Sequence, residues 1–222
     1  MDPRIYELLN GIPENADYAA EAGDLEVEDI PQDRLDSVKE LLRESNDELV
    51  RFYAAKLLTS WGAREGLVAL EEFMSKPEVF EGLYVHRLHG YDDTYRHILM
   101  AVTMYFANVA DKEGKEVARV HVCDLLLKIV ALAGVRPFEI SEMLRFVRRE
   151  NYIEYLAPLK QYLLSIIDHP EVHRWKIYDA LEFFMTFDSE FVVSLLKSKN
   201  MSIDDFSPPP PPPPPESKLM AV

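Results

Sequence analysis

The sequence predicts an all-α protein of about four irregular helical pairs, followed by a disordered proline-rich C-terminal tail. Three observations point there. Apolar residues recur at i, i+3, i+4 and i+7 through most of positions 33–199, the spacing of one helix face rather than of a half-buried strand. Glycine is scarce, with eight in 222 residues, so the dense turn punctuation of a sandwich or barrel is missing. Hydrophobic residues make up 48% of the chain, enough to bury a substantial core in one domain. On this basis the chain divides into an acidic helix and arm over 1–32, a helical domain over 33–206 and a proline-rich tail over 207–222.

Taken in order, Asp2-Pro3 before IYELLN and Gly11 predicts a short helix with an N-cap, a proline at its first position and a glycine past its end. From Ile12 to Pro31 the chain is acidic and weakly periodic, a composition that suits an ordered arm or a flexible one. Helical spacing resumes at Asp33–Glu44, with Leu35, Val38, Leu41 and Leu42 on one face. The most regular stretch is Asn46–Met74. Here Val50, Ala54, Leu57, Leu58 and Trp61 share a face, Gly62 supplies a turn, and Leu67, Leu70, Phe73 and Met74 continue on a second helix. Lys76–Tyr91, with Pro77, Gly82 and Gly90, is long for a connection between helices, and long loops in compact domains are often functional. A further helix is predicted over roughly Glu113–Ala133, ended by Gly134 and Pro137. Phe138–Arg149 (Ile140, Met143, Leu144, Val147) and Tyr152–Ile167 (Tyr155, Leu156, Leu159, Tyr162, Leu163, Ile166) add another pair.

Internal repetition supports an array. A shift of 45 positions aligns Asp47 with Asp92, Arg51 with Arg96 and Trp61 with Phe106. A shift of 123 aligns Arg51 with Arg174, Phe52 with Trp175, Leu58 with Leu181 and Trp61 with Phe184. Both Trp61 and Trp175 fall at apolar helix positions and are expected in the core.

The pattern D-x-x-V-R-x-x-A-A-x-x-L from Asp47 to Leu58, then a glycine turn, then L-x-x-L at Leu67–Leu70, resembles a HEAT-like repeat of the bacterial lyase-type subclass. The resemblance covers roughly Asp33–Lys199 and implies an α-solenoid whose second helices form a concave binding face. By that resemblance Glu71, Glu72, Glu154, Lys160, Glu190 and Lys197 are candidate partner contacts. A small acidic protein of this kind is similar to bacterial immunity proteins, which neutralise a cognate toxin. An adaptor or assembly chaperone fits the same features. Related HEAT-like scaffolds include lyases that attach linear tetrapyrroles and DNA glycosylases with a basic groove; no chromophore pocket is specified here, and the charge is wrong for the groove.

The formal net charge is −15. Residues 1–50 hold fifteen acidic and four basic side chains, so most of that charge lies in the first quarter of the chain. Phosphate backbones need clustered cations, which argues against nucleic acid; an acidic surface instead suits a basic protein partner by complementary potential. Asp17, Glu21, Asp24, Glu26, Glu28 and Asp29 in the arm, and Tyr91, Asp92 and Asp93 at the end of the long loop, are therefore candidate partner-binding residues. Arg145, Arg148 and Arg149 form the one local basic patch, too small for a nucleic-acid site and suited to pairing with the arm or a neighbouring repeat.

Chemistry is sparsely signalled. His86, His89 and His97 cluster near Asp92 and Asp93, but Zn²⁺ needs three or four preorganised ligands and H-x-x-H on a loop supplies two. His169 and His173 are separated by the helix-starting Pro170. Cys123 and His121, at i and i+2, do not face each other on a helix, so a buried cysteine is expected. GxSxG, a phosphate-cradling loop and a dinucleotide fingerprint are absent. No catalytic residue, cofactor or metal is predicted, and the chain is read as non-enzymatic. One cysteine, no signal-peptide pattern and no apolar run longer than Ile98–Ala110 point to a cytoplasmic protein without a membrane span. Pro208–Pro215 would form a stiff polyproline II rod, either a ligand for a polyproline-binding domain or a spacer.

Overall fold

A computed structural model of the chain describes residues 1–87 and 90–207; the proline tail, including Pro208–Pro215, and His89 lie outside the described residues. Among the described residues the protein is all-helical, with ten α-helices, several short 3₁₀ turns and a single isolated bridge between Val85 and Asp92. The described residues form two compact units, the first Met1–Ser165 and the second starting at Ile166.

In the first unit, α1 (Pro3–Asn10) starts as the sequence predicts: the Asp2 carboxylate accepts from the Arg4 N–H at 2.8 Å. The arm that follows is ordered. Two 3₁₀ turns, Ala22–Asp24 and Val27–Asp29, shape it, and Ala16, Ala22 and Leu25 are buried beneath it. Carboxylates and a phenol add side-chain bonds to its backbone turn bonds. Asp24 accepts from the N–H of Ala20 and Glu21; Asp29 accepts from Asn15 and the Tyr18 hydroxyl, which itself accepts from the Glu26 N–H.

Next come α2 (Gln32–Glu44), α3 (Glu48–Ser60) and α4 (Arg64–Phe73). Asp47 caps α3 by accepting from Leu49 and Val50, and Gly62 makes the predicted turn at φ +77°, where a Cβ would also lie 2.9 Å from the Asn108 side chain. All five residues of the predicted α3 face (Val50, Ala54, Leu57, Leu58 and Trp61) are buried. α3 is central, packing on α1, α2, α4 and α5.

The long connection carries one 3₁₀ turn, Pro77–Val79, and ends where the Asp92 carboxylate gathers the Gly82 N–H, the Thr94 N–H and the Thr94 hydroxyl. α5 (Thr94–Glu113) and α6 (Lys115–Ala133) meet at Gly114, whose φ of +97° breaks the helix; Glu113 thus closes α5 instead of opening α6. α7 (Ser141–Glu150) and α8 (Leu156–Ile166) follow. A run of rings ties these elements together. Phe52 stacks on Phe80 at 5.0 Å, Phe80 meets Tyr95 edge-on at 5.6 Å, and Tyr95 stacks on Phe138 at 5.1 Å.

The second unit packs α9 (Pro170–Phe187) against α10 (Ser189–Lys199), with a closing 3₁₀ turn at Ile203–Phe206. Asp188 caps α10 through the Phe191 N–H, and Asn200 ends it in the left-handed region at φ 54°. Ile177, Ala180, Leu181 and Phe184 form the buried face of α9. Trp175 does not join them: it is 43% exposed, which corrects the expectation of a core tryptophan. It sits two residues from Ile177, about 200° round the helix from that face.

Candidate functional site

A concavity of the first unit lies between the faces of α3 and α5. Tyr53, Lys56, Leu57 and Ser60 repeat at i, i+3, i+4 and i+7 on α3, and His97, Met100, Ala101 and Met104 repeat identically on α5. The arm residues Ala20–Asp24, the end of α1 and Tyr84 of the long loop complete a cavity of about 310 Å³. Two contacts seat the arm there. The Trp61 indole N–H donates to the Ala22 carbonyl at 2.8 Å, and Gly23 approaches Ser60 so closely that a Cβ would lie 3.2 Å from its Oγ.

The polar groups of this cavity form one connected set. The Lys56 ammonium lies 4.8 Å from the centre of the Tyr84 ring, which stacks on His97 at 4.0 Å with 22° between the planes. Burial pushes Lys56 down, against the pull of the nearby Glu21 and Asp24 carboxylates. Burial, and then the Lys56 charge, push His97 down. Tyr84 is pushed up to about 12 by burial, and Tyr53 is raised for the same reason. Burial thus works against the Lys56 charge, only partly offset by Glu21 and Asp24, and it favours the neutral forms of His97, Tyr53 and Tyr84. No side-chain hydrogen bond or ion pair engages the Lys56 ammonium, the His97 ring, or the Tyr53 and Tyr84 hydroxyls among the described residues. Leu9, Ile12, Met100 and Met104 supply the apolar part of the lining, Met100 and Met104 following His97 on the same face of α5. One cation, two phenols and one neutral imidazole beside such a lining can hold the polar head of a small amphipathic molecule. No three His, Cys, Asp or Glu side chains among the described residues are placed to hold a metal ion.

The residues singled out in the sequence are distributed unevenly. Asp17, Glu21, Glu26 and Glu28 are exposed along the arm, whereas Asp24 and Asp29 are half-buried and occupied by the bonds that shape it. Glu21 and Asp24 border the cavity. Asp92 folds the end of the long loop, and Asp93 is buried, paired with Arg96 at 3.2 Å. Tyr91 stacks on His86 at 4.6 Å and is pushed up to about 12 by burial. Glu71 is half-buried and Glu72 exposed on α4; Lys160 is half-buried on α8. Glu154 is exposed and accepts from Arg119 at 2.7 Å. Glu190 and Lys197 are exposed on α10, in the second unit.

Two residues of the basic patch pair on their own helix: Arg145 meets Glu142 at 2.8 Å and Arg149 meets Glu150 at 2.8 Å. His121 bonds the Tyr105 hydroxyl at 2.8 Å and leaves Cys123, which is half-buried instead of fully buried. Lys56, Tyr53 and Tyr84 escaped the sequence reading, and His97 entered it only as part of a histidine cluster. The available signal was a second helical spacing, 53/56/60 on one helix and 97/100/104 on another, which has meaning only once the two helices are neighbours.

Comparison with protein-family models, with curated proteins and with solved structures finds no match. No helix among the described residues is long and apolar enough to cross a membrane.

Proposed function

We propose that the chain is a non-enzymatic, cytoplasmic protein-binding module of HEAT-like character, whose acidic arm receives a basic protein domain. The observation that carries this is the order of the arm. Ala16, Ala22 and Leu25 turn inward and its own hydrogen bonds fix its course, so Asp17, Glu21, Glu26 and Glu28 are presented on a shaped backbone. A preorganised strip loses less conformational entropy on binding than a flexible tail, and its charge speeds encounter with a basic partner. A cognate toxin domain, occluded as immunity proteins occlude theirs, is the partner class that fits these features and the resemblance best.

A pull-down from the native host tests it, using the wild-type chain and a variant carrying Asp17→Asn, Glu21→Gln, Glu26→Gln and Glu28→Gln. A basic protein retained at low salt, released as salt rises and lost from the variant supports the proposal. A tight complex indifferent to both salt and these substitutions would sink it. Loss of capture on deleting residues 208–222 would move the function to the proline tail and favour an adaptor.

A further inference from the structure

We propose that the cavity between α3, α5 and the arm is a binding site for a small amphipathic monocarboxylate, its carboxylate on Lys56 and its apolar body against Leu9, Ile12, Met100 and Met104. This goes beyond the protein-binding proposal and does not depend on it.

Charge selects the head group. Lys56 is a single cation lining a partly open concavity, with the Tyr84 ring 4.8 Å away and no carboxylate within ion-pair distance. Glu21 and then Asp24 are the carboxylates whose charge acts on Lys56, and Asp24 is held by the N–H groups of Ala20 and Glu21 without an ion pair to it. A ligand carboxylate would restore a direct, charge-assisted contact in a setting where water screens poorly. A doubly charged phosphate is disfavoured, because Glu21 and Asp24 border the same space and one cation matches one negative charge.

The neighbours complete the head site. The Tyr53 and Tyr84 hydroxyls are un-ionised donors at neutral pH, and the neutral His97 ring offers one donor and one acceptor. Size and lining select the body. About 310 Å³ lies at the lower end of small-molecule sites, and unbranched methionines adapt to varied apolar shapes.

The test titrates the full-length chain with a series of monocarboxylates, butanoate to octanoate and 3-phenylpropanoate, and with the primary amide of each. Calorimetry reads affinity, and the NMR signal of the His97 ring reports location. At least one acid should bind with its amide about tenfold weaker or more, and should shift the His97 signal. Lys56→Met should weaken that acid by about tenfold or more, and Glu21→Gln should tighten it by removing a competing negative charge. The acid–amide comparison on the wild-type chain needs no variant and stands even if Lys56→Met fails to fold. Equal binding of acid and amide, or failure of every acid, overturns the proposal. So does binding confined to Glu21→Gln, since Glu21 would then be the resident partner of Lys56.

Discussion

The Trp61 indole N–H reaches the Ala22 carbonyl at 2.8 Å, joining the end of α3 to an arm residue 39 positions earlier in the chain. The other face of the association is a cation: the Arg34 guanidinium sits 5.2 Å from the Trp61 ring and donates to the Leu8 carbonyl at 3.0 Å. One tryptophan thereby gathers α1, α2, α3 and the arm, and the roof of the cavity depends on it.

Trp61→Phe keeps an aromatic ring at this point and removes the indole N–H. The buried Ala22 carbonyl loses its donor, which costs about 1–3 kcal/mol. We expect a lower urea midpoint and faster proteolytic cleavage within residues 12–31. Cleavage of the arm at the wild-type rate would show that it is held independently of Trp61.

Acid should lower the stability of the first unit in two steps, with onsets near pH 6.5 and pH 4.5. His97 and His121 both have pKa values lowered from 6.5, in each case chiefly by burial. The unfolded chain takes up these protons near 6.5 while the folded chain resists until lower pH, so between those values protons favour the unfolded state. The histidine contribution is thus fully present above 6.5 and is lost as pH falls through the folded pKa values. Glu65 and Glu150, lowered from 4.5, contribute fully above 4.5 and begin to lose that contribution only below it. Urea midpoints measured from pH 7.5 to 3.5 should show both declines, with the upper one flattened in a His97→Gln, His121→Gln double variant. An upper decline unchanged in that variant would remove the histidines as its cause.

What could be read from the chain follows from which forces are periodic. α3 and α4 are legible because Val50, Ala54, Leu57, Leu58, Trp61, Leu67 and Leu70 repeat every helical turn and are all buried. The order of the arm is not, because Ala16, Ala22 and Leu25 follow no helical period and the bonds that fix it join Asp24 to Ala20 and Asp29 to Tyr18. Composition alone describes those carboxylates as a solvated charge run. The cavity is hidden for a different reason. Tyr53, Lys56 and Ser60 look like the solvent face of an amphipathic helix, and only the packing of α5 and the arm onto that face encloses it. Trp175 fails in the opposite direction: pairing it with Phe52 by repeat alignment places it inside, whereas α9 buries the face of Ile177 and Leu181.

Gly66 should tolerate no side chain. A Cβ there would lie 2.5 Å from the Thr59 nitrogen and 2.7 Å from both the Ala55 carbonyl oxygen and the Leu58 Cβ. The first two are α3 backbone, which cannot yield by rotating a side chain. Alanine would gain about 1 kcal/mol of helix propensity, but overpacking against a backbone costs about 1–3 kcal/mol or more. The steric cost wins, and Gly66→Ala should lower the melting temperature. Gly134→Ala is the control, since its Cβ would meet chiefly the Ser165 hydroxyl, a group that can turn away. Equal effects of the two substitutions would contradict the close α3–α4 approach.

Glu150 anchors an ion-pair network at the end of α7. Its side chain is 6% exposed and accepts from Lys115 at 2.7 Å and Arg149 at 2.8 Å. Burial acts to raise its pKa, but the two cations prevail and hold the carboxylate below its ordinary value. Lys115 and Arg149 are themselves 66% and 56% exposed, so losing Glu150 would return both to water instead of stranding a buried charge. Glu150→Gln should therefore cost only about 1–2 kcal/mol at neutral pH, the scale of a charge-assisted hydrogen bond rather than of a broken buried pair. Its pH dependence separates the charge from the shape. As the wild-type carboxylate protonates below pH 4.5 it comes to resemble the amide, and the urea midpoints of the two proteins should converge. A gap of the same size at pH 7 and at pH 3.5 would mean that the amide side chain fits the site poorly and that the cations contribute nothing.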